Sequence, residues 1–498
     1  MRALRPMIPL RMVSKRLISK TVNLRVPIST NPAMKFPCLD RLEQISEELK
    51  QRNGERAELP DSVESGKRGN EDPVYGNVKS GFELFHSYEP LFLDYCGVLP
   101  NFQIAYETWG KLNEDKSNAI LIHTGLSASS HAHSSPLNKN PGWWEDFIGP
   151  NNKALDTNKW FLICTNVLGG CYGSTGPSSL DPADNLPYAT RFPMLSVHDI
   201  IRAQNRLIKE KFGISKLYCS LGSSLGGMQS LCYGQLFPNE VQRVVSVSGC
   251  ARSHPTSIAM RHAQRQVLMA DPNWNRGFYY NTKEFPNRIP PHVGLKLSRE
   301  IATISYRSGP EWESRFGSER IDDEKSPVLC SDFLIESYLD HQGQKFALEY
   351  DANSMLYLSK AMDLFDLSQS NLNRSAMKRE HARMLFEANK LNTTCEEILQ
   401  PPKRKKSRTT SEDEVRKDLV EGMKSLRDLN VLIIGVKSDA LMPHWQQRGI
   451  YEVLGGDNNH KAIHIELQES QSLFGHDTFL LDQENVGGNI GKFLCNDL

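Results

Sequence analysis

The chain has 498 residues with 59 basic and 59 acidic side chains, so its formal net charge is zero. This balance argues against bulk electrostatic binding of nucleic acid, and the chain contains no apolar run of about 18 residues that would predict a membrane span. Its ten cysteines show no zinc-type spacing, so we predict reduced, buried thiols and no metal site.

The N-terminal segment differs from the rest of the chain. Residues 1–39 contain eight Lys or Arg and no acidic residue, and apolar residues are interleaved with the basic ones. This pattern is typical of a mitochondrial transit peptide, which predicts location in the mitochondrial matrix. A solvated basic tail is the alternative. Residues 40–80 are polar and predict a linker.

The next segments predict strands and a helix in alternation. The runs 102–108, 119–123 and 160–164 predict strands, and 199–211 predicts a helix. The last two strands are apolar throughout, as expected for strands buried on both faces of a parallel sheet. We therefore predict an α/β class, with the first part of a doubly wound core at 81–274.

The most informative segment is 216–229, KLYCSLGSSLGGMQ. It predicts a strand, a Gly-x-Ser-x-Gly turn around Ser224 and the start of a helix, which is the pattern of the nucleophile elbow of the α/β-hydrolase fold. Gly222 and Gly226 keep the turn free of side chains. Taken alone, the motif is weak because Gly and Ser are common in loops. The strand predicted at 244–248 completes a βαβ unit and strengthens the assignment.

A different pattern follows. Residues 275–428 have mostly helical spacing, which predicts a helical cap inserted into the sheet. Within it, 401–414 is a low-complexity basic segment that we interpret as a disordered loop rather than a nuclear signal. Strands predicted at 430–436 and 462–467 and a helix at about 485–495 complete the core, with its second part at 429–498.

An activated serine needs a base and a carboxylate that orients the base, in the chain order Ser, acid, His for this fold. Asp439 follows the strand at 430–436, and His476 follows the last strand. These positions predict a catalytic triad of Ser224, Asp439 and His476, with His444 as a weaker candidate for the base. Two N–H groups should form the oxyanion hole. We assign one to Leu225 and the other to the loop after 119–123, at Gly125 and Leu126.

The chain also resembles a known family, the homoserine O-acyltransferases, including the fungal mitochondrial members that acylate serine. The resemblance runs from about residue 106 to 493 and lies in motifs that occur in one order: 105–110 (AYETWG), 166–177 (NVLGGCYGSTGP), 223–229 (SSLGGMQ), 264–266 (QRQ), 351–354 (DANS), 438–439 (SD) and 475–477 (GHD). The loop at 124–132 departs from the usual homoserine pattern and is more similar to the serine branch.

The resemblance implies ping-pong acyl transfer through an acyl-Ser224, with acyl-CoA as co-substrate and no bound cofactor. It implies that Arg299 and Asp477 bind the charged groups of the zwitterionic amino-acid substrate. It favours L-serine over L-homoserine and succinyl over acetyl, with Arg307 as a candidate contact for the succinyl carboxylate and cysteine biosynthesis as the use of the product. The implied partners are small molecules, neither nucleic acid nor membrane, and a homodimer is left open. An esterase or thioesterase, a homoserine acetyltransferase and a non-catalytic binding protein are the alternatives.

Overall fold

The computed structural model describes residues 39, 41–48, 80–285, 287–391 and 411–498. The predicted transit peptide, most of the predicted linker and most of the predicted loop at 401–414 therefore lie outside the described residues. Within the described part of the chain, no helix has the length and apolar character needed to cross a bilayer.

Eight strands form the central sheet, and four short strands form two separate pairs. The sheet order is β1-β4-β8-β5-β9-β10-β11-β12. In chain order the strands are β1 (Glu83–Ser87), β2 (Leu91–Phe92), β3 (Val98–Leu99), β4 (Phe102–Trp109), β5 (Ala119–His123), β6 (Ile148–Gly149), β7 (Leu155–Asp156), β8 (Phe161–Thr165), β9 (Leu217–Ser223), β10 (Val241–Val247), β11 (Asn430–Val436) and β12 (Ala462–Leu467).

The sheet is mostly parallel, as the sequence predicted. From β8 to β12 all neighbours run parallel. Only β4 pairs antiparallel with β8, and β1 pairs antiparallel with β4. The parallel strands place their carboxyl ends along one edge, where the loops after β5, β9, β11 and β12 can meet.

The helices, in chain order, are α1 (41–48), α2 (Val197–Glu210), α3 (Leu225–Leu236), α4 (Pro255–Met269), α5 (His292–Tyr306), α6 (Gly309–Phe316), α7 (Leu334–Glu349), α8 (Ala352–Asp363), α9 (Gln369–Glu387), α10 (Glu412–Gly422), α11 (His444–Val453), α12 (Thr478–Leu481) and α13 (Gly488–Cys495). A capping box starts α2, where the Ser196 side chain and Asp199 satisfy each other's backbone N–H groups.

The core has two layers because the strands are buried on both faces. Along β5, Leu121 belongs to one hydrophobic cluster, whereas its neighbours Ile120 and Ile122 belong to another. The first cluster includes residues of α2 and α3, and the second includes residues of α13. Alternation of side chains between the two faces of a strand explains this division, and helices on both sides make the sheet doubly wound.

The predicted helical insertion, 275–428, contains helices α5 to α10. A buried ion cluster attaches it to the core: the Asp94 carboxylate, which is 1% exposed, pairs with Arg202 of α2 and with Arg379 of α9. One boundary differs from the prediction. Residues 412–414, which we assigned to a disordered loop, begin α10, because Ser411 and Glu414 form a capping box.

The cysteines differ in part from the expectation of free thiols. Within the described residues, Cys164, Cys219, Cys232 and Cys250 are buried thiols outside any disulfide, and Cys495 is an exposed one. Cys96 and Cys330 instead take part in disulfides. Unlike the buried Cys164 and Cys219, which lie within strands β8 and β9, neither of them belongs to a helix or strand. The buried cysteines of the core, such as Cys164 and Cys232, therefore follow the expected pattern, whereas Cys96 and Cys330 do not.

Candidate active site

Ser224 lies at a sharp turn between β9 and α3. Its backbone has φ 59° and ψ −122°, a conformation that non-glycine residues rarely adopt. A Cβ on Gly222 would lie 2.4 Å from the backbone of Gly226, and a Cβ on Gly226 would lie 2.3 Å from the carbonyl oxygen of His123. The turn therefore excludes side chains at both flanking positions, as the motif predicted, and places the hydroxyl at the N-terminus of α3.

His476 links the serine to a carboxylate. Its Nε2 lies 2.8 Å from Ser224 Oγ, and its Nδ1 lies 2.6 Å from Asp439 Oδ2. All three residues are at least nine-tenths buried. The structure thus brings together the three predicted residues in the geometry of a nucleophile, a base and an orienting acid. The weaker candidate, His444, begins α11 instead.

The loops that carry the acid and the base are tied to each other. The other oxygen of Asp439, Oδ1, accepts the backbone N–H groups of Leu441 and Met442 at 2.9 and 2.8 Å. Ser438 accepts the N–H of Gly475 at 3.2 Å, and it donates its hydroxyl to the Ser472 carbonyl at 3.0 Å. These contacts hold the Asp439 carboxylate in the position in which it hydrogen-bonds the imidazole.

The site electrostatics favour a basic imidazole. Burial by itself would lower the pKa of His476, but the Asp439 carboxylate, assisted by Asp477, outweighs burial and raises the pKa above its ordinary value of 6.5. Burial raises the pKa of Asp477, and the cations Arg307, His476 and Arg299 oppose that shift. These influences indicate that both arginines lie close to the Asp477 carboxylate, which is next to the base in the chain.

The predicted oxyanion loop follows β5. Among the described residues, no acceptor is found for the N–H of Gly125, Leu126 or Leu225. The carbonyl groups of this loop, in contrast, are occupied: the Tyr350 hydroxyl donates to Leu126 O at 2.7 Å, and Trp143 Nε1 donates to Ser129 O at 2.9 Å. Free donors beside a nucleophile at a helix N-terminus suit a developing negative charge on oxygen.

Sequence reasoning missed Tyr350 and Trp143 as supports of this loop. Tyr350 is 1% exposed and follows α7 in the inserted region, and its ring stacks on Phe346 with centroids 5.0 Å apart. The segment 346–357 was part of the family resemblance, but no local pattern indicates that a phenol more than 200 residues away contacts Leu126.

Arg299, from α5, lines a cavity of about 210 Å³ next to the oxyanion loop. Its guanidinium lies over the rings of Phe346 and Tyr306, 4.6 and 5.2 Å from their centroids. Within the described part of the chain it forms no salt bridge, and its Nε is buried without an acceptor. A partly buried arginine that forms no salt bridge within the described residues is suited to a ligand carboxylate. The other polar lining residues include Ser127, Ser129, His131, Lys345 and Glu349.

Arg307 differs from Arg299 in having carboxylate partners. Its NH1 donates to Glu311 Oε1 at 2.6 Å, and its NH2 lies 3.0 Å from Asp477 Oδ2. The structure therefore brings the predicted acyl-specificity residue to the predicted acceptor-binding carboxylate. Any succinyl carboxylate would have to share this guanidinium with two protein carboxylates, and a contact with succinyl stays a prediction.

Comparisons with known proteins identify the family of this chain. The model of the alpha/beta hydrolase fold family matches residues 118–466. A protein named serine O-succinyltransferase from Emericella nidulans is 56% identical over 480 residues, covering 94% of this chain and 88% of its own. One of the same name from Schizosaccharomyces pombe is 49% identical, covering 97% and 99%. The crystal structure of a homoserine O-acetyltransferase from Bacillus anthracis superposes with a TM-score of 0.64 at 24% identity, covering 83% of this chain and 97% of that one.

The family match and the superposition confirm the predicted fold class, an α/β-hydrolase fold with a mostly parallel sheet. At 24% identity the solved structure bears on the fold alone. The sequence relatives bear on the class of enzyme, because each is named as an acyltransferase and aligns over nearly the whole chain.

Proposed function

Because this chain belongs to the homoserine and serine O-acyltransferase family of α/β-hydrolase-fold enzymes, we propose that it transfers a succinyl group from succinyl-CoA to the hydroxyl of L-serine. The observation that carries the proposal is the hydrogen-bonded row from Ser224 Oγ through His476 to Asp439, at 2.8 and 2.6 Å. The proposed reaction has two halves that share one covalent acyl-enzyme intermediate.

In the first half, Ser224 Oγ attacks the thioester carbonyl while His476 Nε2 takes its proton. The carbonyl oxygen gains negative charge and is stabilised by the N–H groups of Gly125 or Leu126 and of Leu225. The carbon–sulfur bond then breaks. The leaving CoA sulfur takes the proton from His476, and the acyl group remains as an ester on Ser224.

In the second half, the hydroxyl of the acceptor amino acid attacks this ester. His476 now accepts the acceptor's proton and returns it to Ser224 as the ester bond breaks. Water can attack in the same way, so the acceptor must be held where water is excluded. The guanidinium of Arg299, which forms no salt bridge within the described residues, is suited to the acceptor carboxylate, and Asp477 is suited to its ammonium group.

The choice of serine and succinyl rests on the names of the relatives and on the loop at 124–132, which favours the serine branch. Homoserine O-acetyltransfer is the second candidate, because a relative from Moorella thermoacetica that is 35% identical over 406 residues carries the name homoserine O-acetyltransferase. The two candidates differ by one methylene in the acceptor and by a carboxymethyl group, with its free carboxylate, in the donor.

One assay separates these candidates. Purified enzyme is incubated with succinyl-CoA or acetyl-CoA, each with L-serine, L-homoserine or no acceptor, and release of CoA is followed together with formation of the ester. We expect the highest kcat/KM for succinyl-CoA with serine. A preference for homoserine would overturn the acceptor assignment, and equal release of free acid with and without acceptor would identify an esterase or thioesterase. The Ser224→Ala variant serves as the inactive control.

We further propose that residues 1–39 direct the protein to the mitochondrial matrix, because this segment contains eight basic residues and no acidic residue. Fusing these residues to a fluorescent protein tests this directly. Mitochondrial fluorescence that disappears when the basic residues are replaced by glutamine is the expected result, and a diffuse signal from the intact fusion would contradict it. Whether the enzyme is a homodimer stays a prediction, which light scattering can check.

A further inference from the structure

Four buried polar side chains form a continuous row behind the oxyanion loop, and all four are 0% exposed. We call this row the polar relay; its members are Ser220, His123, Gln204 and Gln229. Ser220 Oγ lies 2.7 Å from His123 Nε2, and His123 Nδ1 lies 3.0 Å from Gln204 Oε1. Gln204 Nε2 donates to Gln229 Oε1 at 2.9 Å. The row ends where Gln229 Nε2 donates to the carbonyl oxygen of Thr124 at 2.9 Å.

The end of the row fixes the direction of every hydrogen bond in it. The carbonyl of Thr124 can only accept, so Gln229 must present its NH₂ group there and its oxygen to Gln204. Gln204 must then present its oxygen to His123, so Nδ1 of His123 carries a hydrogen. A neutral imidazole has one donor and one acceptor, so Nε2 accepts the hydroxyl of Ser220.

The histidine in the row stays neutral because it is fully buried. Burial lowers the pKa of His123 to about 3, although the hydrogen bond with Gln204 opposes the shift. The imidazole therefore carries a single hydrogen at all pH values at which such an enzyme works. A second hydrogen on Nε2 would face the hydroxyl of Ser220, whose lone pairs would then have to accept.

The target of the row is the peptide unit that joins Thr124 to Gly125. In a trans peptide the C=O of one residue and the N–H of the next point in opposite directions. Holding the Thr124 oxygen on the core side thus turns the Gly125 N–H away from the core. A Cβ built on Gly125 meets no atom within 4 Å, so this position borders open space.

We propose that Gln229 is a positioning residue for acyl transfer: through the polar relay it holds the Thr124 carbonyl and so aims the Gly125 N–H as an oxyanion donor. The inference rests on the proposed acyl-serine mechanism. Gln229 also reaches Leu225 O at 3.4 Å, in the first turn of α3. One amide group thereby joins the two segments whose N–H groups form the hole.

The same helix offers a matched control. Gln235 of α3 is 7% exposed, donates to the carbonyls of Leu367 and Gly422, both at 2.7 Å, and lies 2.9 Å from the Nε2 of His198. It resembles Gln229 in burial and bonding but has no contact with the oxyanion loop. Gln229→Met and Gln235→Met should therefore lower the melting temperature similarly, since each leaves buried polar groups unpaired.

The readout is the rate at which a fluorophosphonate modifies Ser224. The reagent phosphonylates Oγ with loss of fluoride and places its phosphoryl oxygen in the oxyanion hole, and no acyl-CoA is required. We expect labelling at least about tenfold slower in Gln229→Met, part of the 10²–10³ that loss of a whole donor removes. Gln235→Met should label within about twofold of the wild type. In the transfer assay, kcat should fall in Gln229→Met while the KM for the acyl donor stays unchanged.

Equal loss of labelling in the two variants, or an unchanged rate in Gln229→Met, would overturn the proposal. If Gln229→Met does not yield folded protein, Gln204→Met tests the relay one link further back, and an unchanged labelling rate there would equally contradict it. Labelling of wild-type Ser224 without any acyl transfer from CoA would refute the proposed function while leaving the test of Gln229 intact.

Discussion

Replacing Asp439 by asparagine should reverse the direction of the hydrogen bonds in the triad. Oδ1 of Asp439 accepts two backbone N–H groups, from Leu441 and Met442, so the amide oxygen of an asparagine must occupy that place. The NH₂ group is then forced into the Oδ2 position, 2.6 Å from His476 Nδ1. Two donors cannot face each other, so Nδ1 must become the acceptor.

The consequence is the wrong tautomer of the base. With Nδ1 accepting, the imidazole carries its hydrogen on Nε2, the atom 2.8 Å from Ser224 Oγ. That nitrogen can no longer take the serine proton. The corresponding change in a serine protease lowers kcat by about 10⁴-fold, which equals about 5 kcal/mol of barrier. We expect a loss of similar size here, because both contacts of Oδ1 are retained and the fold should be unaffected.

Acylation is measured as the burst of CoA release at saturating acyl-CoA, and the fold is checked by the melting temperature. Asp482→Asn is the matched control: Asp482 is 8% exposed and accepts the N–H of Asn485, but it has no contact with the triad. It should keep the wild-type burst rate. An Asp439→Asn variant that loses less than about tenfold would refute the tautomer argument.

Three further expectations concern the same region. The acid limb of kcat/KM should have its midpoint above pH 6.5, because the pKa of His476 is raised and only the neutral imidazole can accept a proton. Asp439→Asn removes the carboxylate that raises this pKa, so the midpoint of its residual activity should lie at a lower pH. A pH-rate profile in which the midpoint does not move would contradict the assigned cause. Gly226→Ala should destabilise the fold by about 1–3 kcal/mol in urea unfolding, because its Cβ would lie 2.3 Å from a carbonyl oxygen. In the control, Gly488→Ala, no atom lies within 4 Å of the new Cβ, so the free energy of unfolding should be unchanged or higher. Equal changes in the free energy of unfolding of the two variants would contradict the steric argument. Arg299→Met should raise the KM for the acceptor amino acid at least about tenfold and leave the burst of CoA release intact. The control, Arg383→Met, removes an exposed arginine that lies over Phe92 and should change neither quantity. Loss of the burst in Arg299→Met would show that this arginine binds the acyl donor instead.

The sheet and the triad could be predicted because their signals are local. Short, mostly apolar runs such as 119–123 favour strands buried on both faces, and the glycines around Ser224 favour a tight turn when a strand precedes them and a helix follows. The order Ser, acid, His then selects Asp439 and His476 at the carboxyl ends of neighbouring strands. The start of α10 also has a local sequence signal, because Ser411 and Glu414 have the spacing of a capping box. The basic run that precedes them led instead to the prediction of a loop.

The partners of Arg307 and the supports of the oxyanion loop could not be predicted in this way. The salt bridge between Arg307 and Asp477 joins residues that are 170 positions apart in different elements, so no periodic pattern in the sequence predicts it. The same holds for the hydroxyl of Tyr350 and for the polar relay. A glutamine in a helix has no sequence signal that distinguishes a buried donor from a solvated side chain, and only the packing of β5 against α3 gives Gln229 its carbonyl partner.

The separation of Ser224 from His476 by 252 positions has a consequence for synthesis of the enzyme. The nucleophile leaves the ribosome long before its base and acid, with the whole helical insertion translated in between. A nascent chain that has completed β9, α3 and β10 therefore holds an unactivated alcohol that cannot consume thioesters. A chain that ends before residue 476 lacks the base, so we expect acyl transfer only from chains whose translation has passed the last strand, β12.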